Sequence, residues 1–556
     1  MKRILLMSLV CTGLLAEAQV YNNEWIDYTK PYYKFKLGSS GLYRISQATL
    51  NAVGLGSTPA ENFQLWRTGQ EVPLYTSIAS GPLAANDYIE FWGQMNDGKP
   101  DKQLYRDPDY QLNDRYSLQS DTAFYFLTVH AGANKRLANT TNDVAGNTLA
   151  PEPYFMYTLG NYFRNVINTG NAALVQGTYV YSSAYDKGEG WTSGNIDSAG
   201  TLAPPAHTNL HVESTGPSPT FSINAAGNAI NTRSFQVKIN GTLVLQQTMD
   251  YFNYLKYQTS FPLSLITSGT AAIEITNQPS ARPDRMVVAQ YEINYPRKFD
   301  FDNLKSFLFE LPANINGNYL EISNFNYGST APVLYDLTNG LRYVADISNP
   351  LLIKIALQGS AVSRKLLLVS EDASNINTIN TLQLRSFVNY GLSANQANYL
   401  VISNSSLYTG SNGSTPVEDY RAYRSSAAGG SYNARIYDID QLVDQFAFGI
   451  KKHPSSIRNF IQYALNTYTS PPKFAFLIGK GVNYVQYRAN ENSPDPNIKS
   501  DLEKLNLVPT FGYPASDNLF SCFNGDNIPT VPVGRLSVVY PDEISVYLKK
   551  VKENES

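Results

Sequence analysis

The chain has 556 residues and a formal net charge of −3; 43% of its residues are hydrophobic and 12% are aromatic. This length exceeds what one hydrophobic core supports, so we expect roughly three or four domains. The apolar content excludes a disordered chain, and without a basic excess nucleic-acid binding has no electrostatic support. Forty tyrosines against four histidines are typical of β-domains that face an extracellular medium.

The N-terminus has the pattern of a signal peptide over residues 1–18. Two basic residues precede the apolar stretch Ile4–Leu15, which is too short for a stable membrane-spanning helix, and Ala16–Ala18 fits the small-x-small cleavage pattern. No later stretch approaches the roughly 18 apolar residues of a transmembrane helix. We therefore expect an exported chain that begins at Gln19 and has no transmembrane helix.

Cysteine usage excludes an intrachain disulfide in the mature chain. Cys11 lies within the signal peptide, so cleavage leaves Cys522 as the only cysteine. Cys11 could also indicate a lipoprotein signal, but Val10 stands where a small residue is expected, which disfavours lipidation. Cys522 is then either a buried structural residue or a reactive thiol.

Short alternating apolar and polar stretches, separated by turns, predict a β-rich first part of the chain. We predict an N-terminal β-rich domain over 19–152 and a β-sandwich domain over 153–298, where a hairpin turns at Asn240-Gly241. Residues 299–390 continue the β-pattern as a β-rich connecting module. The sequence leaves open whether this module is separate or completes the sandwich.

One helical pattern, Gln47–Val53, interrupts these β-patterns. The clearest strand patterns are Tyr33–Leu37, Leu42–Ile45, Glu61–Trp66, Asp87–Trp92, Ala123–Val129, Ala271–Thr276, Met286–Asn294, Val333–Leu337, Leu351–Ala356 and Lys365–Val369.

The pattern changes in the last third of the chain, where strands alternate with helices. The apolar strands Tyr399–Ser403, Asn433–Asp438 and Phe474–Ile478 are separated by helical patterns at Val417–Ala428 and Pro454–Tyr468. In the second helix, apolar residues recur at i, i+3, i+4 and i+7 and share one face. Alternation of this kind indicates right-handed βαβ units, so residues 391–556 are predicted to form a doubly wound parallel sheet that binds ligands at the carboxyl ends of its strands.

Four stretches of this region have distinctive local sequences. The first is the strand Tyr399–Ile402, and the second is the helix Pro454–Tyr468 with the following strand that ends at Gly479. The third is Ser516-Asp517 with residues 524–526 a little further on. The fourth is Val531–Ser537, in which a strand ends in Gly-Arg before an acidic helix start. Together, in this order, the four stretches resemble the gingipain-type cysteine peptidases, the family of the type IX secretion sortase, and they are more specific together than any one of them. Gly41–Ile45 and Asp87–Gly93 resemble the N-terminal part of the sortase more loosely.

The resemblance implies a caspase-like α/β fold with a catalytic His in a His-Gly pair and a Cys nucleophile, each just past a later strand of the sheet. A thiolate needs a nearby imidazole to stay ionised and to protonate the leaving amine. No His-Gly pair occurs in the sequence, whose histidines are His130, His207, His211 and His453. We therefore expect no catalytic residue in this chain and place the catalytic half after Ser556.

Three residues of this region invite a functional interpretation that the resemblance does not favour. Cys522 precedes the Gly-Arg strand, whereas the family's nucleophile follows it, so we interpret Cys522 as structural. His453 stands at a helix start and is interpreted as a neutral capping residue, and Arg535 as an anchor of its strand end. Gly479–Gly481 lacks the Gly-Lys-Ser/Thr ending of a phosphate-binding loop.

Two groups of residues could hold a metal ion. Asp517, Asn524 and Asp526 offer oxygens that suit a structural Ca²⁺ ion, although Asx turns explain them as well and are favoured. His207 and His211 have the spacing of a zinc pair on a helix, but neither a helical pattern nor a third ligand lies nearby in the sequence, which disfavours zinc.

The resemblance implies an exported protein at the cell surface or outer membrane of a Gram-negative bacterium. It would be a cysteine peptidase or sortase that cleaves the C-terminal sorting domain of type IX secretion cargo, with that cargo and outer-membrane secretion components as partners. We expect the present chain to be inactive alone. The alternatives are a non-catalytic surface protein whose β-sandwiches bind glycan or protein partners, and a structural scaffold of the secretion machinery.

Overall fold

The computed structural model describes residues 20–279, 282–491, 493–523 and 525–555. The predicted signal peptide lies outside these residues. Within the described ranges, no helix is long and apolar enough to cross a membrane.

Strands dominate the chain up to residue 391. In chain order they are β1 (Tyr32–Leu37), β2 (Gly41–Ser46), β3 (Phe63–Arg67), β4 (Gln70–Val72), β5 (Tyr75–Thr76), β6 (Tyr88–Gly93), β7 (Ala123–Val129), β8 (Ala138–Thr140), β9 (Phe155–Tyr162), β10 (Val166–Thr169), β11 (Ala172–Val175), β12 (Thr178–Tyr181), β13 (Glu189–Thr192), β14 (Ile196–Asp197), β15 (Thr201–Leu202), β16 (Thr220–Gly227), β17 (Thr232–Ile239), β18 (Thr242–Asp250), β19 (Tyr254–Ser260), β20 (Ile273–Pro279), β21 (Arg285–Arg297), β22 (Asp300–Leu304), β23 (Ser306–Leu311), β24 (Asn318–Phe325), β25 (Val333–Asp336), β26 (Leu341–Val344), β27 (Asp346–Asn349), β28 (Leu352–Leu357), β29 (Arg364–Val369), β30 (Ile376–Ile379) and β31 (Gln383–Arg385).

Helices are short or confined to the last third of the chain. The helices are α1 (Gln47–Ala52), α2 (Pro416–Ser425), α3 (Ile439–Phe446), α4 (Ser455–Thr467), α5 (Tyr484–Ala489), α6 (Pro496–Leu505) and α7 (Pro541–Glu555). The strands of this last part are β32 (Tyr399–Ser403), β33 (Ala434–Asp438), β34 (Phe474–Ile478) and β35 (Val533–Leu536).

Two sheets form the N-terminal part, with strand orders β31-β1-β7-β3-β4 and β30-β2-β6-β5. Alternate residues of β1, namely Tyr33, Phe35 and Leu37, enter the shared core, as the period-two pattern predicts. The predicted short helix is confirmed as α1, where Ser46 Oγ accepts a hydrogen bond from the Thr49 N–H at 3.2 Å. Because β30 and β31 follow the later β-sheets in sequence, the chain returns to complete this part.

The middle of the chain is a β-sandwich. One sheet has the order β14-β21-β16-β19, with β9 also paired to β21, and the other has the order β15-β20-β17-β18. Their inner faces share one core, to which β17 contributes Phe235, Val237 and Ile239. The predicted hairpin is confirmed: β17 and β18 pair antiparallel, and Asn240 and Gly241 have φ angles of 48° and 79°, as a type I′ turn requires.

A third pair of sheets follows, with strand orders β22-β24-β28-β27 and β23-β29-β25-β26-β8 around a phenylalanine-rich core. Strand β8 precedes residue 152 in sequence and pairs parallel with β26. Strands are thus exchanged between the predicted segments 19–152 and 299–390, whose boundaries stay predictions.

The last part is a four-stranded parallel sheet with the order β33-β32-β34-β35. Helices α2 and α7 pack on one face through Tyr420 and Ile544, and α3 and α4 pack on the other through Leu442 and Phe460. The next two strands in sequence, β33 and β34, pair with β32 on opposite sides, which makes the sheet doubly wound. The predicted fold class, β-rich sandwich-like sheets followed by a doubly wound parallel sheet, is confirmed.

The sequence patterns missed α3, α5 and α6 and extended the helix Val417–Ala428 too far, since α2 ends at Ser425. Helix α3 starts without a loop: Asp438 ends β33 and caps the helix by accepting from two backbone N–H groups. Helices α5 and α6 bury few apolar side chains, among them Tyr484 and Leu502, so they lack a clear apolar stripe.

Candidate functional site

The candidate site is the carboxyl edge of the parallel sheet, where β32, β34 and β35 end side by side. The strand order reverses between β32 and β34, and this is where doubly wound sheets bind ligands. Here the buried Ser403 hydroxyl donates to the Ile478 carbonyl at 2.9 Å. Gly479, the residue that follows β34, has a φ of +138°, and a Cβ atom on it would lie 2.9 Å from Val508 Cγ2. Both facts require glycine at the end of this strand.

Arg535 fixes the geometry of this edge. Its guanidinium binds both carboxylate oxygens of Asp517, at 2.6 and 2.8 Å, and donates to the carbonyls of Gly479, Val508 and Pro509 at 2.7–2.9 Å. These contacts use all five N–H groups of the guanidinium. The predicted anchoring role of Arg535 is therefore confirmed, and no donor is left over for a substrate.

One residue of the calcium hypothesis, Asp517, belongs to this anchor. Asp517 uses both oxygens in the ion pair with Arg535, and Asp526 Oδ1 accepts from the Ile528 N–H at 3.1 Å, an Asx-type contact. Asn524 lies outside the described residues. Calcium at Asp517, Asn524 and Asp526 stays a prediction, and it would require Asp517 to share its oxygens with Arg535.

Cys522 is buried, as the sequence predicts, with 4% of its surface exposed. Its Sγ lies 3.3 Å from the Asn518 carbonyl, and the Arg458 guanidinium donates to the Cys522 carbonyl at 3.3 Å. Burial, together with the nearby Asp526 carboxylate, raises the pKa of the thiol, and Arg458 offsets this only in part. A nucleophilic cysteine requires the opposite shift.

His453 is fully buried at the start of α4 and makes no hydrogen bond to Cys522. Its Nδ1 accepts from the Ser455 backbone N–H at 3.2 Å and contacts Ser455 Oγ at 2.6 Å. Its Nε2 therefore carries the proton and donates to Asp101 Oδ1 at 3.0 Å. The connectivity is that of a Ser-His-Asp triad, but all three residues are buried, and Asp101 also accepts from the Leu118 N–H. The group joins two segments 352 residues apart instead of facing a substrate.

The sequence analysis missed two buried ionisable side chains near this edge. Lys452 lies against the Asn506 carbonyl, and burial, with repulsion from Lys451, lowers its pKa to about 8. Glu189 is completely buried and hydrogen-bonded to the Tyr484 hydroxyl, and burial raises its pKa well above the ordinary value. Neither sequence context gives a signal, because the partners lie 54 and 295 residues away.

The other two histidines singled out in the sequence lie far from this edge, in the sandwich. His207 Nε2 contacts the Tyr291 hydroxyl at 3.1 Å, and burial lowers the pKa of His207. His211 contacts two aspartates that follow the sandwich in sequence. The two histidines thus have separate partners and do not form the pair that their spacing suggested.

Comparison with known families gives a match for the segment that contains this edge. Residues 392–556 match the model of peptidase family C25. The resemblance to the gingipain-type peptidases is thereby confirmed for the segment that carries the parallel sheet. No curated protein matches the chain.

Among solved structures, dimeric latent PorU from Porphyromonas gingivalis matches with a TM-score of 0.57 and 14% sequence identity. The match covers 94% of this chain and 49% of that one, so the two share a fold that includes the β-rich part. The present chain spans about half the length of that structure.

Two carbohydrate-binding modules also match over a small part of the chain. One is CBM36 in complex with calcium and xylotriose (11% identity, 24% of this chain, 98% of that chain) and the other is CBM36-1 of a xylanase from the hindgut metagenome of Trinervitermes trinervoides (8%, 25% and 96%). Both have a TM-score of 0.16, which carries no argument about this protein.

Proposed function

We propose that this chain is the front half of an exported gingipain-type cysteine endopeptidase and transpeptidase. It would act at the bacterial cell surface or outer membrane and remove the C-terminal sorting domain of type IX secretion cargo. The catalytic His and Cys would lie beyond Ser556. The observation that carries the proposal is the match of residues 392–556 to peptidase family C25 on a parallel sheet with a rigid carboxyl edge.

The edge strand of the sheet supports the placement of the catalytic residues. Strand β35 pairs with β34, and no other strand in the described ranges pairs with β35. A further parallel strand can add there, and the loop after it would reach the same carboxyl edge as Ser403 and Gly479. The similarity in fold to PorU, which covers 49% of that chain, leaves room for such strands.

The chemistry would follow the family's thiol mechanism. The thiolate would attack the scissile carbonyl, and the peptide C–N bond would break as the imidazolium gives its proton to the leaving amine. Water or an amine acceptor would then take the acyl group from the sulfur. The part of the chain that precedes the peptidase-like sheet would position cargo or contact outer-membrane secretion components.

The test compares this chain with the product of the complete open reading frame that contains it. Each is incubated with a cargo protein that carries a C-terminal sorting domain and with a thiol reagent directed at cysteine peptidases. We expect the complete product to cleave the cargo and to be labelled, and we expect the 556-residue chain and its Cys522→Ala variant to be equally inert. Labelling of Cys522 that is lost in His453→Gln would contradict the proposal, as would a complete product that neither cleaves the cargo nor is labelled.

A further inference from the structure

His211, Asp300 and Asp302 lie together on the surface where the sandwich meets the next sheet. His211 Nε2 is 2.6 Å from Asp302 Oδ1 and 3.5 Å from Asp300 Oδ1. A metal ion needs several His, Cys, Asp or Glu ligand atoms close together. In the described part of the chain, the possible ligand atoms of these three side chains all lie within 4.8 Å of one another. The histidine and the aspartates are about 90 residues apart in sequence, which is why spacing alone could not reveal the group.

The backbone holds both segments in place. The Lys298 N–H donates to the His211 carbonyl at 2.8 Å, and Val212 forms an isolated β-bridge with Arg297 at the end of β21. His211 and Asp302 have φ angles of 48° and 53°, so each lies in the left-handed region. Non-glycine residues adopt this region only where their surroundings fix it.

Side chains outside the group orient its carboxylates. Arg297 Nη2 donates to Asp302 Oδ2 at 2.6 Å, and Asn324 Nδ2 donates to Asp300 Oδ2 at 2.6 Å. Each carboxylate turns its Oδ1 toward the imidazole, and Asp300 Oδ1 also accepts from the Asp302 N–H at 3.1 Å. Donors of this kind around a ligand set are typical of protein metal sites, where they fix the ligands in advance.

The spacing and charge fit a divalent transition metal ion. Tetrahedral Zn²⁺ with ligands at about 2.0–2.2 Å separates its ligand atoms by about 3.3–3.6 Å. The 3.5 Å pair falls in this range, and the 2.6 Å pair, now a hydrogen bond, must open by about 0.7–1.0 Å when the ion replaces the proton. Two carboxylates and one guanidinium leave a net charge of −1 for the cation, and the partial exposure of all three ligands leaves a position for water.

We propose that His211, Asp300 and Asp302 form a binding site for a divalent transition metal ion of the Zn²⁺ type. The ion would join the segment between β15 and β16 of the sandwich to β22, the first strand of the following sheet. Its role would be structural, because the ion would join two segments that lie 91 residues apart in sequence. The site differs in place and ligands from the calcium hypothesis at Asp517, and it does not depend on the proposed peptidase function.

The test is a zinc titration of the tag-free chain by isothermal calorimetry, with thermal unfolding as a second readout. We expect one ion per chain, a raised unfolding temperature, and at least tenfold weaker binding in His211→Gln and Asp302→Asn. His207→Gln is the matched control, because His207 lies on the same loop but contacts Tyr291 instead. Ca²⁺ should not compete, since an imidazole ligand disfavours it.

Circular dichroism and metal-free unfolding temperatures establish that each variant is folded. The proposal is overturned if the wild-type chain binds no stoichiometric zinc. It is also overturned if folded His211→Gln binds zinc as tightly as the wild type, or if His207→Gln weakens binding as much as His211→Gln.

Discussion

The β-sandwich and the parallel sheet build their cores in different ways. All buried members of the sandwich core come from between Phe163 and Tyr295. The core on the α3/α4 face of the parallel sheet instead includes six buried residues that precede residue 192 in the chain: Leu104, Tyr105, Leu118, Ala184, Tyr185 and Trp191. The core between the two sandwich sheets is therefore built from one continuous segment, whereas the peptidase-like sheet is built against the β-rich part.

Polar contacts also join the parallel-sheet part to the β-rich part. Arg488 of α5 donates to Asp121 at 2.7 Å, and Arg458 of α4 donates to the Gln103 carbonyl at 2.9 Å. The buried His453–Asp101 contact joins the same two parts. The β-rich part is thus a structural support for the sheet, and the difference between the two regions can be tested by substitutions in each core.

The largest expected effect comes from Tyr185→Ala. The Tyr185 ring is fully buried, stacks on Tyr484 at 5.4 Å and packs edge-on against Phe511 at 5.3 Å. Truncation leaves a cavity and should lower the free energy of unfolding by about 4 kcal/mol. Although Tyr185 belongs to the β-rich part, hydrogen exchange should accelerate mainly in β32, β34 and α5.

Phe235→Ala is the matched control in the sandwich, since Phe235 is also fully buried. We expect a loss of about 3–4 kcal/mol with faster exchange in β16–β21 and unchanged exchange in β32 and β34. If Tyr185→Ala instead accelerated exchange only in the sandwich, the described dependence of the parallel sheet on the β-rich part would be wrong.

Arg535→Gln tests the anchor of the carboxyl edge. The substitution leaves Asp517 without its partner and three carbonyls without donors, so we expect a loss of about 3 kcal/mol in urea unfolding. Asp517→Asn, which keeps one acceptor oxygen, should cost less. A loss below about 1 kcal/mol would fit a surface ion pair and would contradict the anchoring role.

Glu189→Gln tests the contact between β13 and α5 through its pH dependence. Burial raises the pKa of Glu189 well above its ordinary 4.5. The native state therefore keeps the proton while the unfolded state loses it above about pH 4.5, and stability falls as pH rises toward the native pKa. Glutamine mimics the neutral acid, so the variant should match the wild type at pH 4 and exceed it in stability at pH 8.

Chemical denaturation at a series of pH values checks this expectation. Glu189→Ala provides the control: it removes the contact with Tyr484 and should destabilise the protein at every pH. An identical pH profile for Glu189→Gln and the wild type would show that the carboxyl group is charged in the native state.

Local patterns predicted most of the fold, because they depend on residues close in sequence. The period-two alternation of β1, the Asn240-Gly241 turn and the apolar stripe of α4 were all readable from neighbouring residues. Helix α3 was missed because Asp438 serves both as the end of a strand and as the cap of the helix. Strands β30 and β31 joined the first sheets through pairing over more than 300 residues, which no local pattern contains.

Some features of the candidate site were also predictable from local sequence, and others depend on segments far apart in the chain. The anchoring role of Arg535 was predicted from a strand that ends in a recognisable local sequence, whereas the need for glycine at position 479 became visible only in the structure. The burial partners of Lys452 and Glu189 and the group around His211 depend on segments brought together by the fold. A polar residue in a sequence gives no sign of a partner 54 or more residues away, so these features could only be found in the structure.

The smallest expected effect concerns the hairpin of the sandwich. Gly241 has a φ of +79°, and a Cβ atom there would meet open space, so Gly241→Ala costs only backbone strain, about 1 kcal/mol. Gly194 also has open space around its Cβ position, but its φ lies outside the left-handed region, so Gly194→Ala should change stability by less than about 0.5 kcal/mol. Because neither added Cβ atom meets another atom, thermal unfolding of the two variants isolates the cost of backbone strain. Since the core between the sandwich sheets is built from one continuous segment, the loss in Gly241→Ala should be confined to the sandwich, with hydrogen exchange in β32 and β34 unchanged.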